Sequence, residues 1–217
     1  MSEMNVWLHR TLPQLFGKSG TRKTLEIPIF PLKTVLFPGG ILPLRVFEPR
    51  YMEMTKTCLR DDLPFGVCLL KEGKETGVTA VPEIVGCLTR ITEWDMPQLG
   101  ILNLVTLGLQ RFSIEQQRTE SSGLIMATVM TIPAESTQAV KSSLQVCSEV
   151  LAKIVAQVGA DKFTAPLQFD DAAWVGYRLA EALPLKLAAK QSMLEMNDSI
   201  MRLEILKKFL IQQGLAQ

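Results

Sequence analysis

A serine beside a lysine is the smallest pairing in this chain that could do covalent chemistry. The amine takes the hydroxyl proton and the resulting alkoxide attacks a carbonyl. Examples are Lys141 with Ser142 and Lys190 with Ser192. Both lie in stretches of helical apolar period, where polar neighbours form a solvated face, and adjacency supplies no oxyanion site. A histidine-based triad has only His9 to draw on. Gly17-Lys18-Ser19 matches the end of a phosphate-binding loop, but Leu12 stands where its first glycine belongs. A strand rather than a helix is expected to follow, so the half-motif reads as a turn. Asp61-Asp62 reads as a helix end with its turn, and Asp170-Asp171 as a helix-start cap. Neither is a metal set. Cys58, Cys68, Cys87 and Cys147 are scattered, with no Cys-x-x-Cys pair. They are expected to be reduced and buried rather than to hold zinc. No catalytic residue, metal or cofactor is expected.

The composition narrows the partners. The chain has 217 residues, 47% of them hydrophobic, and 23 basic against 22 acidic side chains for a net charge of +1. A dedicated binder of nucleic acid or anionic membrane shows a basic excess, and this chain does not. No apolar run reaches the length of a membrane span. Glu3, His9 and Arg10 interrupt any signal-peptide core, so a cytoplasmic location is expected.

The elements that would position a site are announced by Ile27 to Tyr51, IPIFPLKTVLFPGGILPLRVFEPRY. Its prolines forbid an ordinary helix and require short strands and fixed bends. Leu25, Ile27 and Ile29 alternate with Glu26 and Pro28, which predicts a half-buried strand at a sheet edge. Pro38-Gly39-Gly40 marks a turn. Ile41 to Phe47 predicts a second strand that tolerates Pro43 at an edge or bulge. Glu48 and Pro49 open a helix over about Pro49 to Arg60, with Pro49 in the first turn. Further turns are expected at Glu72-Gly73, Pro97 to Gly100 and Ser121-Ser122-Gly123.

The period changes near Pro133. From Ala139 onward Val140, Leu144, Cys147, Leu151, Ile154 and Val158 step by three and four, and Gly159 stops the helix. Further helices are predicted over Ala172 to Leu183, Leu185 to Glu195 and Asp198 to Gln213. The fold class is therefore α+β, a strand-rich part followed by a C-terminal helical bundle. The expected organisation is an N-terminal extension over 1–24, a β domain over 25–135 and a helical subdomain over 136–217. Val6, Leu8, Leu12, Leu15 and Phe16 suggest a short apolar-faced helix in the extension.

Four pieces of the first third carry a family resemblance: Ile29-Phe30-Pro31-Leu32, Leu36-Phe37-Pro38-Gly39, Leu42-Pro43-Leu44 and Phe47-Glu48-Pro49-Arg50-Tyr51. Phe65-Gly66-Val67, Val85-Gly86 with Leu88-Thr89-Arg90-Ile91, and Gly108-Leu109-Gln110-Arg111-Phe112 follow in order. The chain resembles the N-terminal, substrate-binding domain of Lon protease, in its stand-alone bacterial form. The resemblance implies a PUA-like β pseudobarrel before the helices. It implies a non-catalytic module that recognises protein or peptide segments, without the ATPase and serine–lysine protease domains. The implied partners are unfolded or specific polypeptides, with a protease or chaperone as a further candidate, and a monomer or weak homodimer is expected. An ATP-independent peptidase-like protein and an RNA-binding PUA-like protein are the alternatives. Candidate peptide-binding or structural residues are Phe47, Glu48, Arg50, Tyr51, Arg90 and Arg111. At the helix start, Glu48 is expected to accept from exposed amides, Arg50 to pair with an acid and Tyr51 to pack between barrel and helix. A cleft between barrel and bundle is the expected place for a peptide.

Overall fold

The computed structural model describes residues 22–75 and 80–216. The expected N-terminal helix, His9 and the Gly17-Lys18-Ser19 half-motif lie outside the described residues. Six strands come first: β1 (Thr24–Leu32), β2 (Ile41–Val46), β3 (Phe65–Gly73), β4 (Ala80–Gln98), β5 (Ile101–Thr119) and β6 (Ile125–Thr131). Helix α1 (Pro49–Asp61) interrupts them. Four helices follow: α2 (Gln145–Val158), α3 (Ala172–Ala182), α4 (Leu187–Glu195) and α5 (Ser199–Gln212).

The strands run in the order β2-β5-β4-β3-β1-β6, and β6 also pairs with β5. That extra pairing closes β5, β4, β3, β1 and β6 into a ring. The pairing of β1 with β3 is parallel and the others are antiparallel. Closure works because β5 is long enough to serve two neighbours on one edge. Its first half pairs with β2, up to Leu107, and its second half with β6, from Phe112. At the changeover the Phe37–Gly40 turn plugs in. Gly39 N donates to Gly108 O at 2.8 Å, and Gly108 N to Gly40 O at 2.8 Å. Gly39 has φ +74, the left-handed region glycine favours, and a Cβ on Gly108 would lie 2.3 Å from the Phe37 carbonyl oxygen.

Strand β1 corrects the sequence expectation. It is not at an edge, because it lies between β3 and β6. It nevertheless holds Pro28 and Pro31. Thr24 to Ile29 pair with β6, while Ile29 to Leu32 pair with β3, so only Ile29 has ladder partners on both sides. Each proline therefore has a neighbour on one side alone, and its missing amide leaves no ladder bond unmade. Pro43 is on an edge strand as expected, since β2 pairs with β5 only.

Burial follows the alternation of the strands. Ile27, Ile29, Leu88, Phe112, Ala127 and Val129 fill one apolar cluster. Phe30, Val46, Tyr51, Phe65, Leu102 and Leu104 form a second, which includes the inner face of α1. The helical core of Leu151, Val175, Leu179, Leu203 and Leu206 also takes in Val35, Phe37 and Leu69 from the strand half. The turn and the bundle thus share one core. The helix expected from Ala139 begins later. Ala139 forms a β-bridge with Asp171, a 3-10 turn covers Ser142–Leu144, and α2 starts at Gln145. Asp171 caps α3 by accepting from Ala173 N at 3.2 Å, and Asp198 caps α5 by accepting from Met201 N at 2.9 Å.

Candidate recognition site

Glu48, Arg50 and Tyr51 are brought together where β2 turns into α1. Pro49 opens the helix, and Glu48 is the capping residue in extended conformation. Its side chain makes no capping bond, which corrects the expected role. The Glu48 carbonyl accepts from Met52 N at 2.9 Å, while the carboxylate lies 3.1 Å from an Arg50 guanidinium nitrogen. A basic residue in the first turn draws the acid away from the amides. The Arg50 guanidinium is buried, donates to Gly123 O at 2.9 Å and lies 4.6 Å from the Tyr51 ring centroid. Tyr51 stacks on Phe30 with centroids 4.0 Å apart, and burial raises its pKa. Phe47, by contrast, projects from the corner and is 55% exposed.

Arg90 and Arg111 are not part of that corner. Arg90 is half-buried on β4, opposite Leu107, and its Nε has no hydrogen-bond partner among the described residues. Arg111 points from β5 into the bundle. It donates to Leu194 O at 2.9 Å, Met196 O at 2.8 Å and Asn197 Oδ1 at 2.9 Å, and approaches Glu135 at 3.6 Å. Arg202 meets the same acid with two hydrogen bonds, at 2.6 and 3.1 Å, and stacks over Tyr177 at 4.2 Å. It also donates to Met193 O and Met196 O. The Tyr177 hydroxyl donates to Glu135 Oε1 at 2.5 Å. The last carbonyls of α4 lack intrahelical partners, and these two arginines supply them. The barrel–bundle junction around Glu135 is therefore occupied by its own side chains.

A second ion pair holds the Phe37–Gly40 turn. Arg178 donates to Pro38 O and to Glu181 Oε1, both at 2.8 Å, and Lys190 donates to Glu181 O at 2.8 Å. Burial pushes the Glu181 carboxyl up to about 7, against the pull of Arg178 and Lys190. The sign follows from linkage. The folded state holds this proton to a higher pH than the unfolded chain, so stability is full below the unfolded value near 4.5 and falls as pH rises towards 7. The side chain is 27% exposed, so water screens part of this and the loss is about 2 kcal/mol. Denaturation followed from pH 5 to pH 8 should show that slope, and Glu181→Gln should flatten it. A slope unchanged in the variant would assign the effect to other groups.

Neither serine–lysine pair forms a dyad. Ser192 Oγ donates to Ala188 O at 3.0 Å, while Lys190 is spent on the Glu181 carbonyl. Lys141 precedes the 3-10 turn that Ser142 opens, and both are exposed. All four cysteines are free and buried. Burial pushes the Cys58 and Cys147 thiols up to about 11, Cys87 to about 12 and Cys68 higher still, so none is poised as a nucleophile. Among the described residues no cluster of metal-binding side chains occurs.

An open concavity lies elsewhere, on the arm formed by β2 and the adjoining halves of β5 and β4. A groove of about 400 Å³ there is lined by Pro43, Leu44, Arg45, Glu93, Trp94, Asp95, Asn103, Leu104 and Val105. Trp94 is 58% exposed. Sequence reasoning missed this place, although the sparse apolar residues of Glu93 to Gly100 were a signal that the hairpin end projects.

Comparison with known proteins matches residues 26–212 to the family described as the ATP-dependent protease La (LON) substrate-binding domain. The chain belongs to the Lon substrate-binding domain family. It is similar to a crystal structure of a Lon N-terminal domain protein from Xanthomonas campestris, with 34% identity and a TM-score of 0.72. That likeness covers 85% of this chain and 98% of the other. The N-terminal domain of the Mycobacterium avium complex Lon protease, 16% identical with a TM-score of 0.59, shares the fold. Lon protease of Cytophaga hutchinsonii is 26% identical over 186 residues, 81% of this chain and 23% of that protein. Protein cereblon of Gallus gallus is 28% identical over 127 residues, 56% of this chain and 27% of that protein. The chain thus spans about a quarter of these two relatives. The Lon-type pseudobarrel and its helices are the architecture expected from the Phe47-Glu48-Pro49-Arg50-Tyr51 pattern and its companions. No helix among the described residues is long and apolar enough to cross a membrane.

Proposed function

We propose that this protein is a non-catalytic recognition module for polypeptide segments in the cytoplasm. The observation that carries the reading is the match of residues 26–212 to a substrate-binding domain. The internal chemistry agrees with it. The serine–lysine pairs are separated or exposed and the thiols are buried and protonated, while the arm offers an open groove. The RNA alternative finds less support, because Arg111 is enclosed by helix carbonyls and Phe112 is fully buried in the core. An RNA surface needs exposed cations and stacking rings. A protease or chaperone is the kind of protein such a module would serve.

The test is a titration of labelled unfolded casein and labelled RNA at two salt concentrations. Casein should bind weakly, with little salt dependence, because few charges are neutralised. RNA binding would fall steeply with salt through counterion release. Tight, salt-sensitive RNA binding without casein binding would replace this reading with the nucleic-acid one.

A further inference from the structure

The two faces of the arm differ in what covers them. Residues opposite one another in a ladder share a face, and neighbours along a strand alternate. Leu44 and Trp94 lie opposite Leu104, and Val46 lies opposite Leu102, so these side chains share one face. On it Val46, Leu102 and Leu104 pack with Tyr51 and Met54 of α1. Ile41 lies opposite Leu107, and Pro43 opposite Val105, on the other face. There Ile41 is 41% exposed, Pro43 is exposed, and Val105 and Leu107 are half-buried. Ile41, Val105 and Leu107 belong to none of the three apolar clusters of the described residues. Two residues on from Leu107, Leu109 packs against the inner cluster of the barrel. The open face is thus the barrel's inner surface continued onto the arm, where no described element covers it.

The course of the chain supplies the cover. Lys23, Thr131 and Phe112 stand level on neighbouring strands, since Thr131 N donates to Lys23 O at 2.9 Å and Thr131 lies opposite Phe112. Strands β1 and β5 are each antiparallel to β6, so they run the same way. Followed backwards from Lys23, the chain heads as β5 does from Phe112 towards Leu107, which is into the arm. Strand β2 takes the place of β6 along that edge of β5, so this course runs beside the outer edge of β2. Residues 1–21 precede the described chain. At about 3.3 Å per residue, the step from Phe112 back to Leu107 is roughly 17 Å, and the reach from Lys23 back to Phe16 is roughly 23 Å. Gly17-Lys18-Ser19-Gly20-Thr21 is a polar link with two glycines, and Leu8, Leu12, Leu15 and Phe16 before it are spaced as one side of a helical period. Pro13 in the segment and Pro43 on the edge each lack an amide, so strand addition along β2 is disfavoured and packing on the face is preferred.

We propose that the open face of the arm is the docking site of the chain's own N-terminal segment, whose Leu8, Leu12, Leu15 and Phe16 cover Ile41, Pro43, Val105 and Leu107. The occupant is tethered a few residues away, so its effective concentration at the face is on the order of millimolar and a modest apolar contact holds it. This docking does not depend on the polypeptide-recognition reading.

The test places the photoreactive analogue p-benzoylphenylalanine at position 16 of the full chain, in place of Phe16. Cross-links are mapped by mass spectrometry in a mixture of ordinary and isotope-labelled chains. They should fall within one chain, on the peptides that hold Ile41 to Arg45 or Asn103 to Leu107. Adding Leu12→Asp and Leu15→Asp should cut their yield roughly fivefold or more, because two buried leucines are worth at least that factor in the docking equilibrium. Both substitutions precede β1, so the barrel and bundle keep their sequence. Cross-links that miss the arm, or a yield unchanged by the aspartates, would mean that the segment is only tethered nearby and would overturn the assignment. Cross-links to the arm of a differently labelled chain would give the face to a second copy and overturn it equally.

Discussion

Replacing Arg202 with methionine is expected to lower the stability of this protein by about 4 kcal/mol, which for a chain of this size is roughly 10 °C in melting temperature. Arg202 has no exposed surface, and Glu135 keeps 5% of its side chain exposed. The variant would strand Glu135 with Arg111 at 3.6 Å and the Tyr177 hydroxyl as partners. It would also release the Met193 and Met196 carbonyls from Arg202. Removing one member of a buried pair costs more than removing both, because the survivor stays buried and poorly compensated. The double variant Arg202→Met, Glu135→Gln should therefore recover part of the loss. Arg111 would still be held by Leu194 O, Met196 O and Asn197. Calorimetry of both variants decides the matter. A single variant melting within a degree or two of the wild type would show that the junction does not depend on this ion network.

That network also marks the limit of what the sequence discloses. Strand and helix types were legible because period two and period 3.6 are local properties. Pro43 on an edge and Asp171 as a cap followed from residue type and neighbours. The partner of a strand is not local. Nothing in β5 says that its first half pairs with β2 and its second with β6, and that division closes the ring. The β1 prolines misled for the same reason, since an edge and a strand with half a neighbour on each side tolerate proline alike. Arg178 and Arg202 sit within apolar helix stripes, where a long cationic side chain ordinarily reaches out to water. Their acids, Glu181 and Glu135, lie respectively three residues away on the same helix and in a connection before α2. Only the folded chain shows that Arg202 and Glu135 meet. The arm groove was hidden likewise, because its lining joins β2 to a β4–β5 hairpin far along the sequence.

Arg50→Ala separates a structural role from a ligand-binding one at the corner the sequence emphasised most. Arg50 has 6% of its side chain exposed and Glu48 has 20%. Losing the guanidinium removes the bond to Gly123 O, the cover over the Tyr51 ring and the partner of Glu48. Because Glu48 retains some contact with water, the cost should fall at the lower end for a buried pair, about 3 kcal/mol or roughly 5–10 °C of melting temperature. Two further observations favour the structural role. Among the described residues the buried Arg50 Nε has no hydrogen-bond partner, so the group is fixed by packing more than by saturated bonding. Tyr51 stacks on Phe30 beneath it, so the stem of Arg50 closes the top of an apolar cluster. Arg50→Lys should then recover little, since an ammonium cannot both lie flat over the ring and reach the Gly123 carbonyl. Melting curves and casein binding measured on the same preparations give the decision. Unchanged melting with weakened binding would make Arg50 a contact residue, and the corner at Phe47 to Tyr51 would then be a surface that touches the ligand.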